Sequence, residues 1–200
     1  NTCYCGPLSR FDATPSTAAG RELPRRPFCC LILSGPEPQR TMLLHKVTAA
    51  VTEMPLVILS AAPLHAKPAG NREITVITSP DTATMKRYLI EAERIIARAG
   101  YTAIMELASL GRGAILIPTP GQTEQEYLGR YLHGRLGFVT VKQGEIGPAL
   151  SPVHIMSHPR PDLPGSLTRR NSTTNDKAEL PDAAPLLERA LDMLPQKKKE

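Results

Sequence analysis

Three short segments combine glycine, proline and polar side chains in patterns that could do chemistry. Ser34-Gly-Pro-Glu-Pro-Gln-Arg-Thr41 follows an apolar run and opens a helical pattern. Gly35 can take a positive φ, N–H groups at the helix start can meet a phosphate, and Arg40 adds charge. The segment is neither a P-loop nor a G-x-G-x-x-G run, and its prolines remove donors, so a proline-stiffened turn is the plainer reading. Arg98-Ala-Gly-Tyr-Thr102 repeats the layout. Here Gly100 lets a ligand approach the backbone at a helix N-terminus, where an anion is favoured. Thr102 and Glu106 are four apart and so share one helix face. A carboxylate there could accept both hydroxyls of a ribose; the plainer alternative is a solvated Glu complementing the helix dipole.

Pro118-Thr-Pro-Gly-Gln-Thr-Glu-Gln-Glu-Tyr127 is the third segment. Two prolines and a glycine fix the loop, and Thr123 is expected to cap a helix whose first turn carries Glu124, Gln125 and Glu126. Gln122 and Gln125 are uncharged donors and acceptors suited to sugar hydroxyls, although a well-made helix start needs nothing more. The histidines are dispersed without metal-ligand spacing, and no Ser–His–Asp order or nucleophile elbow can be placed. Asp81, after a further strand, is a weaker candidate.

Short apolar runs alternate with helical patterns around these segments. Strands are expected at Phe28–Leu33, Leu56–Ser60, Ile74–Ile77, Arg94–Ala97, Ala114–Ile117 and Phe138–Val141. Helices are expected at Thr41–Thr52, Met85–Ala92, Thr102–Leu110 and Glu124–Leu132, with Thr102 as N-cap and Gly111 as the stop of the third. The runs are continuous rather than alternating, as in strands covered on both faces, and the alternation of strand and helix implies a parallel, doubly wound α/β sheet. Each polar segment directly follows a strand, so all three belong on the sheet edge where ligands bind such folds.

Residues 28–146 are therefore read as the compact domain. Residues 1–27 are read as a linker ending a preceding domain, 147–184 as a proline-rich disordered linker, and 185–200 as a short helix with a basic tail. The chain opens on Asn1 and is read as a piece of a longer protein. Hydrophobic residues at 41% suffice for a core, while 4% aromatics and no Trp argue against base-stacking platforms and carbohydrate-binding modules. The net charge of +5 is scattered apart from Lys197–Lys199, which excludes a nucleic-acid-binding stripe and suits mild attraction to anionic ligands or lipid heads. Cys3, Cys5, Cys29 and Cys30 lack zinc spacing and read as reduced thiols of a cytoplasmic protein; Cys29 and Cys30 would point to opposite faces of a strand. Asn171-Ser-Thr matches a glycosylation acceptor in a sequence with no other sign of secretion. No apolar stretch reaches the ~20 residues of a membrane span.

Taken together, Arg98–Leu107, Gly111 and Ala114–Leu128 resemble the C-terminal domain of family 28 glycosyltransferases, relatives of the peptidoglycan-precursor N-acetylglucosaminyltransferase. Ser34–Thr41 and Cys5–Phe11 are similar to a bacterial subgroup, so the resemblance spans roughly residues 4–146. It implies a GT-B enzyme, two Rossmann-like domains with the active site between them, whose C-terminal half holds a UDP-sugar such as UDP-N-acetylglucosamine. On that pattern Glu106 matches the ribose-binding carboxylate. Arg98, Ala99 and Gly100 match the loop near the diphosphate, Gln125 and Glu126 the pair on the sugar, and Ile77–Ser79 the region that meets the uracil. Ser34–Thr41 replaces the usual glycine-rich loop, Ala99 stands where Ser is common, and Glu126 replaces a frequent second Gln. The resemblance further implies inverting transfer with no metal or cofactor in this half. The catalytic base and the acceptor belong to an N-terminal domain or a partner subunit, so no catalytic residue is assigned here. The expected location is the cytoplasm, at the inner face of the membrane through peripheral contact. A non-catalytic donor-binding subunit of a split glycosyltransferase and a UDP-sugar epimerase are the alternatives.

Overall fold

The computed structural model describes residues 9–11, 23–24, 27–65, 68 and 73–150. Cys3, Cys5, His154, His158, Asn171, the 185–200 segment and nearly all of both proposed linkers lie outside the described residues. Six strands form one sheet: β1 (Cys29–Leu33), β2 (Leu56–Ser60), β3 (Ile74–Thr78), β4 (Arg94–Ala97), β5 (Ile115–Leu116) and β6 (Val139–Thr140). Their order is β3-β2-β1-β4-β5-β6 and every pairing is parallel. This is the expected doubly wound sheet, with its topological switch point between β1 and β4.

All residues of β1 and β2 are buried, which is why their sequences carry no alternation. Helices α1 (Gln39–Ala50) and α5 (Ile146–Ala149) cover one face, where Leu43, Leu44, Val47 and Ile146 pack on Cys29, Leu31, Leu33, Leu56, Ile58 and Ile96. Helices α2 (Thr82–Glu91), α3 (Tyr101–Ser109) and α4 (Thr123–Leu132) cover the other, packing Tyr88, Leu89, Ile104, Met105, Leu107, Leu128 and Leu132 on Cys30, Ile32, Val57, Leu59, Ile95 and Leu116. Cys29 and Cys30 thus enter opposite cores, neither of them in a disulfide. Burial, more than the neighbouring sulfur, pushes the Cys30 thiol well up from its ordinary value.

Helix boundaries correct the expectations where capping chemistry decides them. α2 starts three residues before Met85 because the Asp81 carboxylate accepts the Thr84 N–H at 2.6 Å. That bond holds the Asp81 pKa below its usual value. Thr102 is not the N-cap of α3; Gly100 is, with no side-chain bond. The stop at Gly111 is as expected: φ is +63°, and Gly111 and Arg112 donate to the carbonyls of Ala108 and Leu107 in a Schellman arrangement. Thr123 is likewise the first residue of α4, and Gln122 occupies the cap position.

Two domain edges shift as well. Phe11 is 1% exposed and belongs to the core under α2 and α3, so part of the supposed linker packs as arm of this domain. At the other end a 3-10 turn (Gln143–Glu145) leads into α5, and Ile146 and Leu150 are buried on α1. The packed unit therefore runs to residue 150 rather than 146, because apolar side chains continue past the last strand.

Candidate functional site

The C-terminal edge of the sheet holds a cleft of about 390 Å³. Ser34 lines it from the end of β1, Ser60 and Ala61 from the end of β2, and Ser79 and Pro80 from the end of β3. Thr102 and Glu106 enter from α3, Met85 from α2, and Arg10 from the N-terminal arm. Three residues expected to act together, Ser34, Thr102 and Glu106, thus line one space. Ser79 lies there with φ at +49°, held by its N–H to Ser60 O at 2.7 Å and its hydroxyl to Ala61 O at 3.0 Å. A non-glycine residue in that region is strained, a feature that collects at ligand sites.

Glu106 is not the solvated surface carboxylate of the plainer reading. Only 6% exposed, it sits one turn and a half into α3 with a hydrophobic flank of Ile104, Met105 and Leu107. Its Oε1 receives the Arg10 Nε at 2.8 Å and its Oε2 the same guanidinium at 3.4 Å. Burial raises the Glu106 pKa above the ordinary carboxylate value, and Arg10 only partly opposes it. The arm carrying Arg10 is well anchored: Ser109 Oγ meets Ser9 Oγ at 2.7 Å, Lys86 Nζ donates to Phe11 O at 3.0 Å, and Arg10 stacks over the Phe11 ring. Arg10 lies outside the three polar segments, and the only trace of it in the sequence was its place in the Cys5–Phe11 similarity.

The two arginines expected near phosphate are directed elsewhere. Arg40 is buried, and its guanidinium donates to Ser60 Oγ at 2.6 Å, Ala62 O at 2.5 Å and Pro63 O at 2.9 Å, tying the start of α1 to the loop after β2. The start of α1 is also met by its own anion, since Glu37 Oε2 accepts the Thr41 N–H at 3.1 Å, which lowers the Glu37 pKa. Gly35, at φ +101°, faces open space. Arg98 is 2% exposed; its Nη1 and Nη2 donate to backbone carbonyls and Gln143, while its Nε is buried with no hydrogen-bond partner. Burial brings its pKa down to about 10, so it stays charged at neutral pH. Ala99 is fully buried in the core, whereas Gly100 opens α3 with nothing within reach of an added Cβ.

In the third loop the first-turn side chains of α4 fold back on the backbone. Gln125 Oε1 accepts the Thr119 N–H at 3.0 Å, and Glu126 Oε1 accepts the Gly121 N–H at 3.0 Å. The Gln125 amide also donates to Gln122 Oε1. These bonds follow the reach-back logic of a capping box, applied one turn further along the loop, and fix Gly121 at φ +82°. Tyr127 stacks on Tyr131 behind them, with ring centroids 6.1 Å apart. Among the described residues no cluster of His, Cys, Asp or Glu is arranged to hold a metal, and no helix is long and apolar enough to cross a membrane.

A parallel sheet of this order with a cleft at its switch-point edge defines a Rossmann-like class of α/β domain. More particularly, residues 60–150 match the glycosyltransferase family 28 C-terminal domain, the segment holding β3 to β6, Glu106 and the Pro118–Tyr127 loop. Among solved structures, the glycosyltransferase SnogD from Streptomyces nogalater is similar at 16% identity with a TM-score of 0.41. That match covers 72% of this chain and 40% of SnogD. No curated protein matches the chain.

Proposed function

We propose that this chain is the donor-binding half of a glycosyltransferase and holds a UDP-sugar, UDP-N-acetylglucosamine or a related UDP-hexose, in the cleft at Glu106. The observation that carries the reading is Glu106 itself. A carboxylate this deeply buried costs stability, and its place in the cleft beside the N-terminus of α3, inside the segment with the family match, supports a ligand-binding task. In this reading the ribose hydroxyls meet Glu106 and Thr102, and the base lies toward Ser79 and Pro80. The diphosphate meets the backbone N–H groups of Gly100 to Thr102, where the helix dipole favours negative charge. The sugar extends to Gln122, Gln125 and Glu126. Arg98 and Arg40 act by holding the loops, Ser34 and Gly35 by leaving room beside the diphosphate.

The acceptor and the base that activates it come from a second domain or a partner subunit, and transfer inverts the anomeric centre. Titration of UDP and UDP-N-acetylglucosamine into the full-length protein tests this directly. Saturable binding of both supports the reading, and absence of heat with either ligand overturns it.

A further inference from the structure

At the switch point the helix after β1 leaves to one face of the sheet and the helix after β4 leaves to the other. The chain itself therefore does not hold the two loops at a fixed separation; a lateral tie must. Arg98, at the end of β4, makes that tie. Its guanidinium donates to Gln39 O at 2.7 Å, to Ile117 O at 3.3 Å and to Pro118 O at 3.4 Å. Gln39 begins α1, directly after the Ser34–Pro38 loop, and Ile117 and Pro118 begin the loop after β5. One buried side chain thus joins all three loops of the candidate site.

Gln143 fixes Arg98 in this position. It is 6% exposed, accepts from the Arg98 guanidinium at 2.7 Å through Oε1, and donates to Gln39 Oε1 at 3.2 Å through Nε2. No other side chain of the described residues accepts a hydrogen bond from that guanidinium in this structure; its remaining partners are carbonyls. The Arg98 Nε is already buried without a partner, so losing the Gln143 acceptor leaves a second unsatisfied donor and presses the side chain to move or admit water.

We infer that Gln143 is a positioning residue for the donor: through Arg98 it sets the spacing of the three loops that bind the nucleotide-sugar. The inference rests on the donor-binding reading above. It is tested with full-length wild type, Gln143→Leu and Gln143→Glu, measuring UDP affinity by titration, melting midpoint, and amide hydrogen exchange without ligand. Gln143→Leu, of similar size but without an acceptor, is expected to weaken UDP binding about tenfold or more under conditions where it remains folded. Exchange is expected to quicken together at 39–42, 100–103 and 117–122. Gln143→Glu keeps an acceptor toward Arg98 and is expected to restore affinity to within about threefold of wild type. Should Gln143→Leu fail to fold, Gln143→Asn, whose amide falls one methylene short, takes its place with the same expectation.

A lowered melting midpoint with unchanged UDP affinity shows a merely structural glutamine and overturns the inference while the donor-binding reading stands. Quickened exchange confined to the neighbourhood of residue 143 does the same. A wild type that binds no UDP overturns the reading and this inference with it.

Discussion

Replacing Glu106 by Gln should separate the stability of this domain from its ligand binding. In the wild type burial is the larger influence on Glu106 and raises its pKa, while the ion pair with Arg10 partly offsets it. The sign of the pH effect follows from linkage. Between the unfolded value near ~4.3 and the higher folded value, the folded state keeps a proton that the unfolded state has released. Wild-type stability therefore falls as pH rises through that window, and the loss stays at neutral pH. A neutral amide of the same shape avoids it. Arg10, with a side chain 44% exposed, can turn to water when its partner loses charge. Glu106→Gln should consequently melt at or above the wild-type temperature at pH 7, with the difference vanishing near pH 4. Its UDP affinity should drop, because charge-assisted hydrogen bonds of about 1.5–3 kcal/mol become ordinary ones of about 0.5–1.5 kcal/mol, a loss of about 1–1.5 kcal/mol or roughly 5–12-fold per bond. Thermal unfolding at the two pH values and calorimetric titration of UDP measure both sides. A variant that melts several degrees lower at pH 7 yet binds UDP like wild type would refute the reasoning, since Glu106 would then be a structural ion-pair partner only.

Arg10→Ala should push the Glu106 pKa further up, so the pH at which UDP affinity declines on acidification should be higher than in wild type; titrations between pH 5 and 8 check this. Phe11→Ala should destabilise by ~3–5 kcal/mol, the range for a fully buried ring, and denaturant unfolding would show almost no change if the arm were only a linker. Gly113→Ala should cost at least ~1–3 kcal/mol, because an added Cβ would lie 2.2 Å from the Gly137 carbonyl oxygen and neither backbone can yield easily; an unchanged melting midpoint would contradict that packing.

The strand cores were legible because burial on both faces leaves continuous apolar runs, and Leu56–Ser60 and Arg94–Ala97 match residue for residue. Helix starts moved by one to three residues because local hydrogen bonds set them, as Asp81 does for α2, and a propensity pattern does not rank competing caps. Glu106 was legible as a carboxylate one turn into a helix after a glycine. Its burial was not, since the cover is supplied by an arm nearly a hundred residues away in sequence. Gln143 and Arg10 belong to no periodic pattern and acquire their tasks from partners brought close by the fold. Arg98 and Arg40 show the converse: a basic residue at a strand end or a helix start resembles an anion contact, but tying loops also calls for a long side chain with several donors.

The central place of β1 bears on where this protein can be cut and joined. The segment with the family match begins at Ser60, yet the sheet is organised around Cys29–Leu33, which pairs with β2 on one side and β4 on the other. A module excised at residue 60 would leave the matched strands in two parts, β3 and the β4-β5-β6 group, with the strands that join them gone. Recombination or chimera design at that boundary should give insoluble products, while exchange upstream of Ser9 keeps the sheet, the arm and the Glu106 cleft as one inherited piece. The heritable unit is set by strand adjacency, and it is larger than the stretch in which the family's pattern is written.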